Sequence, residues 1–467
     1  MPSAVIPGTG AAGVRIVPEV NTVAHAAGRL CRILEQALGA PPPLRVRAWD
    51  GSTAGPPDGP AVVLRDRRAL RRLLWRPDRL GLARAWVAGE IDVEGDLYEA
   101  LGRLTGIVLH TGKEPPRSPA VRVLRALEAP ARLRDPAARR ALAEAVLLAG
   151  PGLPPRPPRE EARARRGPLH ATHRDRAAVS HHYDVGNDFY ELVLGPSMVY
   201  SCAYWEGPGA SLEDAQRAKL DLVCRKLGLR PGQRLLDVGC GWGSLVLHAA
   251  EHHGAEAVGI TLSAEQASYA RERVAAAGLA HRVEIRLQDY RETADGPYDA
   301  ISSIGMAEHV GSARYREYAD RLYALLRPGG RLLNHQIARR PWKDESAYRT
   351  DEFIDAYVFP DGELAPLGTT VTLLEEAGFE VRDVESLREH YGLTLRRWVE
   401  NLETGWSRAL GLVPPGRARV WRLYMAASAL AFEQNRIGVN QVLAVRTGPD
   451  GASGMPPVRE RWLLRPG

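Results

Sequence analysis

The segment Leu235-Leu-Asp-Val-Gly-Cys-Gly-Trp-Gly243 restricts the chain's options more than any other. A strand with the look of a buried one runs directly into three glycines, and a helical pattern follows. Glycine tolerates positive φ and lets a ligand come close to the backbone, while the open helix N-terminus offers unpaired N–H donors. A lone glycine loop is a weak signal, but this one heads a regular alternation of strand and helix. Predicted strands are Arg234–Val238, Ala257–Thr261, Val283–Leu287, Tyr298–Ser303 and Arg331–His335, with helical segments between the first four and between Ser312 and Leu326. That order implies an α/β fold, a parallel sheet covered by helices on both faces. Two later apolar runs, Val381–Val384 and Gln441–Val445, are separated by helices at Leu393–Leu410 and Arg417–Gln434 and are expected to pair antiparallel at one sheet edge.

Which nucleotide the loop takes follows from its neighbours. A dinucleotide site carries an acidic residue about 20 residues downstream to hold a ribose. Here that stretch reads Gly259-Ile-Thr-Leu-Ser263. A P-loop is excluded, since no Gly-Lys-Ser/Thr follows the glycines. Asp237 before the glycines and Gln288-Asp289 after the third strand suit a ligand with an amino-acid end, a ribose and an adenine. S-adenosylmethionine has those three parts.

The 467 residues, 45% hydrophobic and 25% charged, suffice for two to three domains. Residues 1–20 read as a flexible lead-in and 21–150 as a small α+β domain. Within it a helix over 22–39 precedes a strand at Leu44–Trp49, a turn at Asp50-Gly51, a returning strand at Ala61–Leu64, and helices over Arg67–Trp75 and Gly81–Leu104. Pro and Arg dominate 151–177, a composition that cannot bury enough apolar area to offset its ordering, so a solvated linker is expected there. The strand–helix alternation follows the linker, and 448–467 read as a flexible tail. The net charge of +6 favours anionic partners, which at this point include nucleic acid and anionic lipid. No apolar run reaches the roughly 18 to 20 residues of a membrane helix, and no signal-like apolar core begins the chain, so a cytoplasmic location is expected. Cys31, Cys202, Cys224 and Cys240 form no C-x-x-C pair, which predicts reduced thiols and no metal site.

Several further segments stand in order along the chain: His181-His-Tyr-Asp-Val-Gly-Asn-Asp188, Tyr200-Ser-Cys-Ala-Tyr-Trp205, Thr261-Leu-Ser-Ala-Glu-Gln266, Leu287-Gln-Asp-Tyr-Arg291 and Gly305-Met-Ala-Glu-His-Val-Gly311. With the glycine loop they resemble the cyclopropane-fatty-acyl-phospholipid synthase family, over roughly 178–447. Arg84-Ala-Trp-Val-Ala-Gly-Glu-Ile-Asp-Val-Glu94 resembles, more weakly, the N-terminal domain of the longer members. The resemblance implies a Rossmann-like class I methyltransferase domain with a mostly parallel sheet and an antiparallel edge strand, preceded by the α+β domain. It implies S-adenosylmethionine as methyl donor, held by Tyr200, Ser201, Asp237, Gly239, Cys240, Gly241, Trp242, Gly243, Thr261, Leu262, Ser263, Gln266, Gln288 and Asp289. It also implies bicarbonate as the base, held by Cys202, Glu308, His335, Tyr391 and the backbone of Ile337.

The implied substrates are unsaturated phospholipid acyl chains at the membrane surface, with no nucleic acid, a peripheral position on the inner face of the cell membrane, and a homodimer left open. An alkene is a feeble nucleophile, so methyl transfer must make a carbocation. The enzyme has then to exclude water, stabilise positive charge and remove a proton from the added methyl. Tyr200, Tyr204, Trp205 and Tyr391 are the candidate cation-facing aromatics, against the plain alternative that they are core. Cys202 could likewise be an inert buried thiol, and His309 is expected to cap or pack. His335 is placed at the end of the fifth strand, where ligands gather in open sheets. Ala307 is expected to widen the acyl pocket. A cyclopropane is the expected product, with a 10-methylene chain as the alternative outcome of the same cation. A small-molecule methyltransferase and a non-enzymatic lipid binder are the rival classes.

Overall fold

Leu235, Leu236, Asp237 and Val238 are all buried, because their strand has a parallel partner on each edge and helices on both faces. The computed structural model describes residues 25–110, 135–162, 174, 185–345 and 348–463. The expected lead-in over 1–20 and the His181–Asp184 part of the first family-like segment lie outside the described residues. The strands, in chain order, are β1 (Arg45–Arg47), β2 (Thr53–Ala54), β3 (Ala61–Leu64), β4 (Ile91–Glu94), β5 (Arg234–Val238), β6 (Glu256–Thr261), β7 (Val283–Leu287), β8 (Tyr298–Ile304), β9 (Leu326–Arg339), β10 (Ala365–Pro366), β11 (Glu380–Ser386) and β12 (Ile437–Val445). The larger sheet runs β11-β12-β9-β8-β5-β6-β7, with β10 beside β9. The chain winds outward from β5 through β6 and β7, then returns to β8 on the other side of β5. Strand order reverses there, and open α/β sheets place their ligand crevice at such a point.

Helices Leu212–Leu227, Ser244–His253 and Ala264–Ala276 cover one face of this sheet, and Tyr315–Leu325 and Leu367–Glu376 the other. The two late strands form the expected antiparallel pair, with β12 lying between β11 and β9. Because β12 pairs with β9 from Arg331 to Arg339, β9 extends past its predicted end, and His335 sits inside the strand rather than at its terminus. The single helix expected over Leu393–Leu410 is two, Arg388–Thr404 and Trp406–Leu412, separated at Gly405. A Cβ at Gly405 would lie 2.5 Å from Leu192 Cδ1, so close helix approach requires the glycine.

The N-terminal region holds a second sheet, ordered β2-β1-β3-β4. Two expectations change here. Ala61–Leu64 does not return antiparallel to the first strand: Asp50-Gly51 turns the chain into β2, and the loop beyond crosses back so that β3 pairs parallel to β1. The long helix over Gly81–Leu104 is interrupted, since Gly89 adopts φ +71° and Ile91–Glu94 pairs with β3 as β4. The apolar pattern of that stretch satisfies both periods, and sheet pairing decides between them.

This region is not a separate body. Leu80, Ala83, Trp86 and Val87 of helix Arg79–Val87 share one buried cluster with Phe189, Tyr190, Trp398, Trp421 and Met425. Trp86 Nε1 donates to the Arg419 carbonyl at 2.9 Å, and Arg419 Nε returns a bond to the Trp86 carbonyl at 2.6 Å. The expected solvated linker is also docked over 151–162. Arg72 donates to the Arg156 carbonyl at 2.7 Å, Arg84 pairs with Glu161, and Ala162 N–H donates to the Ala356 carbonyl at 2.7 Å. Its charged residues find half-buried partners, which composition alone could not reveal. The rest of that stretch lies outside the described residues apart from Arg174, which pairs with Asp361. The expected loose tail carries helix Arg459–Leu463, where Trp462 is buried and Arg459 pairs with Asp383 at 2.9 Å. No helix among the described residues is long and apolar enough to cross a membrane.

Candidate active site

A cleft of about 1280 Å³, counted to its open mouth, lies at the C-terminal ends of β5, β6 and β8. Tyr200, Ser201, Asp237, Gly239, Cys240, Gly241, Trp242, Thr261, Leu262, Gln266 and Asp289 line it. Gly239 and Cys240 N–H both donate to the Ile260 carbonyl, which folds the loop back over β6. Gly241 has φ +55° and nothing near its missing Cβ, so it is the bare backbone facing the cleft. Three expected donor residues do not line the cleft. Gly243 serves packing, since a Cβ there would lie 3.1 Å from that of Ala270. Ser263 caps helix Ala264–Ala276 by accepting from Gln266 N–H. Gln288 is held through its backbone, its N–H donating to the Thr261 carbonyl.

Asp237 accepts from Ser302 Oγ at 2.7 Å, and burial lifts its carboxyl to about 6 against the opposing pull of Ser302 and Lys219. Lys219, unremarked in the sequence, also lines the cleft and donates to Ser201 Oγ at 3.0 Å. Burial lowers its ammonium to about 8, partly offset by Cys202 and Asp237. Asp289 is buried and held in place by Arg291, whose backbone N–H and guanidinium both bond it, at 3.0 and 2.7–2.9 Å. Arg291, Met306, His309, Arg314 and Asp361 contribute further to the walls. His309 packs as expected, against Phe359, but it also faces the cleft.

Behind the cleft lies a packed aromatic cluster that shares Tyr200 with it. The Tyr200 ring is 5.4 Å from Trp398 and 5.6 Å from Trp421, and Tyr391 stands edge-on to Trp398 at 6.0 Å. The Tyr424 phenol lies close to that of Tyr200, and burial raises both above the ordinary phenol range. Tyr204 and Trp205 point elsewhere. Tyr204 stacks on His390 at 4.9 Å, while Trp205 Nε1 donates to His390 O and Thr394 Oγ1, each at 3.1 Å. They rivet the Tyr200–Trp205 segment to helix Arg388–Thr404 and so position Cys202, which is fully buried with its sulfur 3.6 Å from the Leu387 carbonyl. Ala307 packs into the sheet core with Leu236 and Val310, not into this cluster.

Glu308 Oε2 and His335 Nε2 are buried with no hydrogen-bond partner among the described residues. Glu308 Oε1 accepts from the Ile337 N–H at 2.8 Å, and burial lifts the carboxyl to about 7. His335 is reached by a fixed relay. Lys226 Nζ can only donate, so the amide oxygen of Gln441 must face it, at 2.8 Å. The Gln441 Nε2 then donates to His335 Nδ1 at 3.3 Å. Burial and the two nearby lysines hold His335 down to about 3, so it is neutral and carries its proton on Nε2, the unpartnered atom. His335 and Glu308 therefore present an N–H and, below about pH 7, a carboxylic O–H, neither with a partner among the described residues. Glu308 and Ile337 are in direct contact, Cys202 and Tyr391 meet at Leu387, whose carbonyl also accepts the Tyr391 N–H, and Gly305 N–H donates to the His335 carbonyl.

Strand order and a donor cleft at the switch point define a class I S-adenosylmethionine-dependent methyltransferase fold. The family model of the mycolic acid cyclopropane synthetases matches residues 170–442, and the chain belongs to that family. It is 43% identical over 432 residues to a probable fatty acid methyltransferase of Mycobacterium tuberculosis, covering 90% of this chain and 95% of the relative. A probable fatty acid methyltransferase of Pseudomonas putida is 39% identical over 422 residues, with the same two coverages. Among solved structures, the mycolic acid cyclopropane synthase CmaA1 complexed with SAH and CTAB superimposes with a TM-score of 0.55 at 35% identity, covering 58% of this chain and 97% of that one. The chain is thus an S-adenosylmethionine-dependent enzyme of fatty acyl modification.

Proposed function

We propose that the enzyme adds one carbon from S-adenosylmethionine to the cis double bond of unsaturated phospholipid acyl chains and closes a cyclopropane. The observation that carries this reading is the pair of buried atoms without a partner among the described residues, Glu308 Oε2 and His335 Nε2, together with the aromatic cluster that meets the donor cleft at Tyr200. A polar acceptor would be poorly served by that aromatic floor. An alkyl chain suits it, and the CTAB in the related CmaA1 complex also carries an alkyl tail.

Of the residues lining the cleft, Asp237 and Lys219 would receive the ammonium and carboxylate of the donor's amino-acid end, and Asp289 its nucleoside end. The double bond attacks the donor methyl, the sulfur leaves with its electron pair, and the positive charge passes to the acyl chain. The faces of Tyr200 and Tyr391 stabilise that charge by roughly 0.5 to 2 kcal/mol each. Bicarbonate, when bound, supplies the base that takes a proton from the delivered methyl. Its donors would be His335 Nε2–H, neutral Glu308 and the Tyr391 hydroxyl, with Cys202 and the Ile337 backbone closing the site; two unpartnered donors are what a small oxyanion needs. Loss of that proton closes the ring, for a net gain of one CH2.

The full-length relatives are named fatty acid methyltransferases, which favours a second outcome in which proton loss leaves an exocyclic methylene. Incubation with S-adenosylmethionine and oleoyl-containing liposomes, read by mass spectrometry, tests the main reading. A gain of one CH2 per chain is expected, and NMR of the product separates ring from methylene. No gain with any unsaturated phospholipid defeats it.

The N-terminal region supports a membrane-facing role: Trp75, Leu147 and Leu153 are 62%, 73% and 84% exposed on packed neighbouring elements. Removing residues 21–150 would open the shared core, so point changes are the cleaner test. Leu147→Glu with Leu153→Glu is expected to reduce liposome co-sedimentation while SAH binding is kept; unchanged co-sedimentation removes the role.

A further inference from the structure

Away from Glu308 and His335, tertiary packing gathers a second set of chemically able side chains. Cys224 lies in the last turns of helix Leu212–Leu227, while His248 and His253 lie on helix Ser244–His253, across the intervening β5 and glycine loop. A sulfur or ring nitrogen from each lies within 4.8 Å of the other two. All three are more than nine-tenths buried. His248 Nε2 is buried without a hydrogen-bond partner among the described residues, which a purely structural histidine would be expected to have found. His253 Nε2 lies 3.3 Å from Asp221 Oδ1, and Asp221 is in turn paired with Arg225 at 2.9 Å.

We propose that Cys224, His248 and His253 form a site for a thiophilic divalent cation of the zinc type. One thiolate and two imidazoles are the donor set that such an ion prefers to magnesium or calcium, which take oxygen ligands. Asp221 fits as the carboxylate that orients His253, the arrangement that ligating histidines commonly show. His252, half-exposed with its ring 4.6 Å from that of His248, marks the side from which an ion would arrive. On binding, the Cys224 thiol loses its proton to solvent, a thiolate–metal bond forms, and no oxidation is involved. The ion would staple together the two helices that carry Lys219 and Ser244, both in the donor cleft. Its place is structural, since none of the three ligands lines that cleft.

The test uses the full-length protein dialysed against chelator and then titrated with Zn²⁺ or Co²⁺ alone. Expected are one equivalent bound and, for Co²⁺, the near-ultraviolet thiolate charge-transfer band with the strong visible bands of a four-coordinate ion. Cys224→Ser and His248→Ala are each expected to weaken binding by at least about 100-fold and, for the first, to abolish the charge-transfer band. SAH binding by calorimetry reports that both variants remain folded, and if one does not, the other decides. Failure of the wild-type chain to take up either ion overturns the proposal, as does uptake that both folded variants retain.

Discussion

The donor cleft is lined by backbone and by charges whose partners are already present: Gly241 bare at φ +55°, Asp289 locked by Arg291, Asp237 on Ser302. In the cluster behind it, Glu308 and His335 are buried, and one polar atom of each has no partner among the described residues. Asp237, Asp289 and Lys219 of the cleft have partners before a ligand comes, whereas Glu308 and His335 each keep one atom with none among the described residues. An unsatisfied buried acceptor or donor costs roughly 1 to 3 kcal/mol. On the proposed function, that cost is borne by groups kept ready for chemistry at the expense of stability.

If that contrast is right, Glu308→Gln should have the largest consequence. Turnover is expected to fall roughly 10²- to 10⁴-fold with SAH affinity unchanged in calorimetry. Stability should move the other way. The Glu308 carboxyl keeps its proton up to about 7 in the folded chain, against an ordinary 4.5, so the wild type's stability is full below 4.5 and is lost as pH rises through 7. The variant's advantage in urea unfolding should therefore grow by roughly 3 kcal/mol across that interval. A pH-independent difference would break the comparison.

Asp237→Asn addresses the cleft. Losing the charge is expected to weaken SAH binding about 10- to 100-fold while turnover at saturating donor changes less. An effect confined to kcat would place Asp237 with Glu308 and His335 instead. Gln441→Leu sharpens the contrast further, because Gln441 touches His335 and Lys226 but lines no part of the cleft. About a 10-fold loss in kcat is expected, with a changed pH profile and a mixed His335 tautomer in the ring-nitrogen NMR shifts, whereas Gln441→Glu should restore neither. An unaltered tautomer would show that Gln441 only packs. Smallest is Ser201→Ala, which removes the bond to Lys219 and should weaken SAH binding about 3- to 10-fold, measured by the same calorimetry.

Legibility follows distance along the chain. The glycine loop, its strand and its helix are contiguous, so their local pattern carries the cleft's position and most of its lining. The proposed bicarbonate site can be named only through resemblance, for its members come from the Tyr200–Trp205 segment, the short helix after β8, the interior of β9 and helix Arg388–Thr404. Local pattern misleads where it is ambiguous. The Ile91–Glu94 strand reads as helix, and His335 reads as a strand end because β12, about 100 residues away in sequence, supplies the pairing that prolongs β9. Lys219 and Lys226 give no sign of burial, and lysine is almost never fully buried without partners.

What the amino-acid order determined by itself was periodicity and turn chemistry: a wound parallel sheet, a glycine loop that no dinucleotide or P-loop ligand suits, and an antiparallel pair at one edge. These rest on interactions within one strand–loop–helix unit. The tertiary structure alone decided that the N-terminal helix of Trp86 packs into the cluster of Tyr190, Trp398 and Trp421, that Gln441 meets His335, and that Cys224 meets two histidines. Each of those depends on which surfaces close against one another when apolar area leaves water, and a pattern read along one segment carries no record of its partner.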